Sequence, residues 1–176
     1  MWSTWQIGAF GFLSFIPGAV TALCSGFLYK GKRIPPFILY VTLLFSMAFY
    51  PTIGPAWLYP YFLWFHLIGL VVLMFPPTPM AIGYARRNNN LARSGLGIGI
   101  ISLVSTLLGQ MTGNVMFELV YWPAIYPLVE YWRAAQWRIL TFVYPLERSI
   151  ITLIAALVGA PLIKAIRASG YQMGGR

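Results

Sequence analysis

Charge is rare in this chain, and its placement limits the fold more than any other feature. The 176 residues hold twelve lysines and arginines, three glutamates and no aspartate, so only 9% of side chains are charged. Glu118, Glu130 and Glu147 share one stretch with Arg133, Arg138 and Arg148. The other basic residues form three acid-free clusters: Lys30, Lys32 and Arg33; Arg86, Arg87 and Arg93; Lys164, Arg167 and Arg176. Long apolar runs separate the clusters. Soluble domains carry about 25% charged residues, and basic residues gathered at the ends of apolar runs mark cytoplasmic loops between membrane spans. The expected fold is an all-α integral membrane protein, one domain over residues 1–176, multi-pass in the cell membrane with its basic loops cytoplasmic.

The net charge of +9 does not argue for nucleic acid, because the basic residues flank apolar runs and form no solvated stripe. Cys24 is the only cysteine and His66 the only histidine. With no aspartate besides, no disulfide, metal site or cofactor is expected. His66, in Trp64-Phe65-His66-Leu67, is expected to hydrogen-bond a neighbouring helix. No phosphate loop, nucleophile elbow or zinc-protease motif occurs, so no enzymatic activity is expected.

About 20 apolar residues cross a bilayer. Ile7–Tyr29 is long enough, with Pro17 expected to kink its middle, and is read as a first span, too long for a signal peptide. Phe37–Ile53 and Trp57–Phe75 are the second and third spans. The third opens with an aromatic belt of Trp57, Tyr59, Tyr61 and Trp64. Pro76–Ser94 is expected to be a basic loop, with a turn at Asn88, Asn89 and Asn90. Gly95–Leu119 is the fourth span and Ile150–Ile166 the last, with Pro145 in the first helical position and Glu147 in the first turn.

Tyr121–Tyr144 is aromatic-rich yet carries Glu130, Arg133, Gln136 and Arg138. It is expected to be a polar helix that is re-entrant, interfacial or spanning, giving a bundle of five to six transmembrane helices. Charge counting favours five crossings with the N-terminus outside, since all three acid-free clusters then lie on the cytoplasmic side.

Small residues recur at helical spacing. Gly95, Gly99, Ser102, Thr106, Gly109 and Gly113 share one face of the fourth span, and Gly18, Ala22 and Gly26 line the first. Such stripes let helices approach closely in lipid, either within the bundle or against another subunit. The candidate partner-docking residues are Gly18, Ala22, Gly26, Gly95, Gly99, Gly109 and Gly113. Charged and aromatic groups near one membrane face make a candidate binding set for a small organic solute: Asn114, Glu118, Trp122, Glu130, Arg133, Trp137, Arg138, Glu147 and Arg148. Salt bridges internal to the chain are the plainer reading of the same residues.

From Tyr144-Pro145-Leu146-Glu147-Arg148 through Gly159-Ala160-Pro161 to Lys164, the chain resembles the last helix of substrate-binding S components of energy-coupling factor transporters. The first helix, with Gly18, Ala22 and Gly26 four apart, is similar to the face those proteins turn to their coupling subunit. The resemblance covers about a quarter of the chain, and its patterns are loose. It implies capture of a vitamin-like micronutrient on the outer side, by residues between Asn114 and Arg148. It also implies partners: the lipid bilayer, a coupling subunit and two ATPases. That family has six helices with both ends inside, which would turn the first two basic clusters outward. A non-catalytic structural subunit of a larger membrane complex stays open as the alternative. So does a five-helix sensor like the tryptophan-rich translocator proteins, whose motifs are not found here.

Overall fold

A computed structural model describes residues 11–49, 60–87, 90–116, 119 and 130–169, with only the backbone described for residues 11–12, 60–62 and 130–140. The described elements are helical throughout. A 3-10 turn, Gly11–Ser14, leads into α1 (Phe15–Tyr29), followed by α2 (Ile34–Phe49), α3 (Pro60–Met74), α4 (Thr78–Arg87), α5 (Leu91–Met116) and α6 (Glu130–Ala168). Helices α5, from Leu91, and α6, over Thr141–Ala168, are long and apolar enough to cross a membrane. Residues 63–74 of α3 and the whole of α4 form a third candidate, bent by 75°. Helices α1 and α2 are shorter and apolar.

Polarity in this bundle runs opposite to that of a water-soluble protein. Phe45, Leu153 and Leu157 are about 60% exposed, whereas His66, Ser105, Gln110, Asn114 and Thr141 are buried. Lipid is as apolar as leucine, so outward apolar side chains cost nothing there, and polar ones gain by turning inward. The arrangement is that of a membrane protein.

Helix α5 is the axis, and each of the other five helices touches it. Glycines set these approaches. A Cβ at Gly97 would strike Ala81 O and lie 2.7 Å from Ala85 N, so α4 rests on α5 backbone to backbone. A Cβ at Gly109 would strike Thr21 Oγ1 and lie 2.8 Å from Pro17 O of α1. Gly95 and Gly99 face Thr152, Ala156 and Ala160 of α6. On the far side, Gly69 of α3 makes room for the Tyr40 hydroxyl, which donates to His66 O at 2.8 Å.

Several boundaries differ from expectation. Pro17 lies in the first turn of α1, where a missing N–H is tolerated, and so does not kink a span's middle. Ile34 opens α2, with Pro35 and Pro36 inside its first turn. The supposed loop Pro76–Ser94 contains helix α4 and the start of α5, because Thr78, Ala81, Ile82 and Ala85 form a buried stripe while Arg86 and Arg87 end the helix. Asn90 caps α5: its Oδ1 accepts from Ala92 N at 2.9 Å and Arg93 N at 3.3 Å. Asn88 and Asn89 lie outside the described residues. Pro145 and Glu147 do not open the last helix; both sit inside α6, which is continuous from Glu130. The part of Tyr121–Tyr144 from Glu130 onward is therefore the first half of α6, and residues 121–129 lie outside the described residues.

The basic clusters meet at one end. Gly31, at φ +79°, closes α1 with Lys32 N bonded to Phe27 O at 2.9 Å and Gly31 N to Leu28 O at 2.8 Å, a left-handed helix stop that suits glycine. Arg86 reaches that turn and donates to Lys30 O at 3.4 Å. Arg33 donates to Leu73 O at 3.3 Å, in the last turn of α3. Arg93 lies over the Tyr84 ring, 5.8 Å from its centroid. Arg167, near the end of α6, donates to Ala85 O. Residues of all three clusters thus share one end of the bundle.

Candidate functional site

At the opposite end α5 carries a line of polar residues, Thr106, Gln110 and Asn114, each one turn from the next. The Thr106 hydroxyl is satisfied within its own helix, donating to Leu103 O at 3.2 Å. The amides are not. Gln110 and Asn114 are each 6% exposed, and neither atom of the Gln110 amide has a hydrogen-bond partner, nor does Asn114 Nδ2. An unpartnered buried polar group costs about 1–3 kcal/mol, and few persist in native proteins without a reason.

Helix α6 packs along α5. It runs antiparallel to α5, with Gly95 against Ala156 and Ala160, and Gly99 against Ala156 and Thr152. Extending that register places Arg148 level with Thr106, and Thr141 to Tyr144 level with Gln110 and the turn above it. Tyr144 packs on the apolar core. Arg148 Nε and Thr152 Oγ1 are buried without partners, while Arg148 Nη2 lies 3.3 Å from Glu147 Oε1. Glu147 is about half exposed, so this pair is worth little by itself. Trp64 Nε1 donates to Thr141 O at 3.4 Å and ties α3 to the same level. The chemistry on offer is a set of donors, with the Gln110 carbonyl as acceptor, inside apolar walls.

Of the sequence-based binding set, only Asn114, Glu147 and Arg148 have described side chains. Asn114 is buried on α5, and Arg148 lies on α6 one turn before Thr152, which meets Gly99 of α5. Glu118 and Trp122 lie outside the described residues, as do the side chains of Glu130, Arg133, Trp137 and Arg138. Because α6 is one helix, Glu130 and Glu147 are separated by about 25 Å along it at 1.5 Å per residue. A single small solute cannot touch both. Gln110 was missed, although a carboxamide in the middle of an apolar span is itself a functional signal.

The candidate docking residues divide. Gly95, Gly99 and Gly109 are occupied by α6 and α1 within the chain, and Gly113 is buried. Gly18, Ala22 and Gly26 stay exposed on the outer face of α1, with open space at both glycines. Elsewhere a groove of about 850 Å³ runs between α3, α5 and α6. Its lining, including Phe65, Val72, Leu103 and Leu153, is apolar and offers little directed chemistry. Among the described residues no three histidine, cysteine or acidic side chains cluster as metal ligands.

No protein-family model, no curated protein and no solved structure matches this chain.

Proposed function

We propose that this chain is a membrane-embedded capture subunit for a small polar organic solute, bound between α5 and α6 in the half of the bundle remote from the basic end. The observation that carries the reading is the Gln110 amide, buried with both its donor and its acceptor unpartnered. Asn114 one turn above, and Arg148 across the interface, add donors to the same region. A solute bearing a carbonyl or carboxylate beside an N–H would complete these bonds and recover the cost of burying them. Positive charge favours the cytoplasmic side, so the basic end faces inward and the solute enters from outside.

In this reading α1, α2, α3, α5 and α6 are five crossings, with α4 lying at the cytoplasmic boundary. This departs from the six-crossing S components, for which the first two basic clusters would face away from the third. The S-component resemblance still suggests how uptake is energised: Gly18, Ala22 and Gly26 form a smooth face where a coupling subunit packs, and the chain hydrolyses no nucleotide itself. Purification in mild detergent, with mass spectrometry of co-purifying proteins and retained small molecules, tests the proposal. A stoichiometric solute lost in Gln110→Leu supports it. Recovery of other enzyme subunits with no retained solute makes the chain a structural subunit instead.

A further inference from the structure

A second groove, of about 590 Å³, opens at the basic end between the start of α2 and the end of α3. Its mouth carries Lys32 and Arg33, and its walls are Ile34, Phe37, Leu73 and Met74. Lys32 is exposed, and Ile34 and Met74 are 73% and 60% exposed, so the groove meets the surrounding bilayer directly. Arg33 spends one donor on Leu73 O, which fixes its guanidinium over the end of α3 and leaves other N–H groups for a ligand. Behind it Arg86 braces the Lys30–Gly31 turn.

The charge around this groove is unbalanced. Lys30, Lys32, Arg33, Arg86, Arg87 and Arg93 occupy a stretch of sequence with no acid, and all three glutamates lie at residue 118 or beyond. Glu147, the nearest along α6 to its basic end, is 17 residues before Lys164, on the order of 25 Å of helix. A zwitterionic headgroup would bring its own cation into this field; an anionic one would not. The apolar walls fit an acyl chain, and basic pockets between helices on the cytoplasmic side suit anionic headgroups. We propose that this groove is a binding site for one anionic phospholipid, its phosphate held by Lys32 and Arg33 and its acyl chain lying along Ile34, Phe37, Leu73 and Met74.

The test uses the full chain in mild detergent, titrated with phosphatidylglycerol or phosphatidylcholine and read by native mass spectrometry. The wild type is expected to retain one phosphatidylglycerol in preference to phosphatidylcholine. Each basic residue near a membrane surface strengthens anionic binding by about five-fold, so Lys32→Gln with Arg33→Gln should weaken that lipid by about 25-fold. Arg87→Gln with Lys164→Gln removes the same charge from exposed positions at the same end, and should weaken it far less. Lys32→Gln alone keeps the Arg33 contact to α3 and guards against misfolding; about a five-fold loss is expected. Met74→Trp leaves the charge intact but fills the groove, and should also reduce binding. Equal losses in the two double variants would mean diffuse attraction and overturn the proposal. So would no preference between the lipids, an unaffected Met74→Trp, or displacement of the lipid by millimolar inorganic phosphate.

Discussion

Substituting Gly109 by alanine tests whether the small-residue face of α5 is internal packing or a free surface. The new Cβ would strike Thr21 Oγ1 and lie 2.8 Å from Pro17 O, where ordinary contact begins at 3.4 Å. Rotating Thr21 aside does not cure the fault. That rotation breaks the hydrogen bond it donates to Pro17 O at 2.9 Å, and the carbonyl itself is backbone and stays in place. Helix α1 must therefore retreat by about half an ångström, loosening the contacts that bury Cys24 and Leu28. Overpacking of this kind costs about 1–3 kcal/mol, which in a chain of this size lowers the melting temperature by about 2–12 °C. The lone Cys24, 2% exposed, is the reporter: a maleimide dye that fluoresces on reaction labels it only as α1 comes away. Gly18→Ala is the control, since open space surrounds that glycine. Its melting temperature should equal the wild type's or rise slightly, because alanine favours a helix over glycine by about 0.5–1 kcal/mol. An unchanged melting temperature in Gly109→Ala, with a fall in Gly18→Ala, would refute the packing argument.

Gln110→Leu should raise the melting temperature, since it removes an unpartnered buried amide costing about 1–3 kcal/mol, while abolishing solute retention. A destabilised variant would mean that the amide is satisfied in the folded chain. Single cysteines in a Cys24→Ser background, at Lys32→Cys, Arg87→Cys and Lys164→Cys, should all react with a membrane-impermeant thiol reagent from the same side of sealed vesicles. Labelling of position 164 from the opposite side to the other two would restore the six-crossing scheme. Tyr40→Phe removes the hydroxyl that donates to His66 O and should lower stability by about 1 kcal/mol in the same dye assay. Asn90→Ala strips the cap from α5 and should cost about as much.

Helices were legible in the sequence wherever one physical rule governed them. Apolar length located α5 and α6, the two helices long enough to cross a membrane, and described residues of each basic cluster lie at one end. Short amphipathic structure was hidden. Helix α4 has only four buried positions, Thr78, Ala81, Ile82 and Ala85, and prolines at 76, 77 and 79 disguise it as a loop. Pro145 misled in the same way: proline favours a first helical position, yet here it sits within α6, as packed membrane helices permit. That reading placed residues from Glu130 onward on a separate element, whereas they form the first half of one long helix. The stripe on α5 was expected to pack closely, within the bundle or against another subunit, and spacing alone cannot say which neighbour fills it. Gly109 serves α1, Gly95 and Gly99 serve α6, and only the tertiary arrangement distinguishes them.

On the proposed reading, the two halves of α5 have different tasks. Near the basic end, Gly97 brings α4 onto the backbone of α5, Gly95 and Gly99 meet α6, and Ser94 Oγ donates to Tyr84 O at 3.3 Å. Toward the other end, where residues 104–114 are all buried, two carboxamides stand without full hydrogen bonding. Selection for stability alone would replace Gln110 and Asn114 with leucine or alanine, since in lipid an apolar side chain costs nothing there. Their presence fits the proposed solute site, set beyond a basic end that the glycine contacts close. On that view the glycine contacts are the barrier. Widening them with Gly97→Ala, whose Cβ would lie 2.7 Å from Ala85 N, should weaken the seal at the basic end while leaving solute affinity nearly unchanged. A loss of affinity as large as that of Gln110→Leu would mean that the two halves are not separate devices.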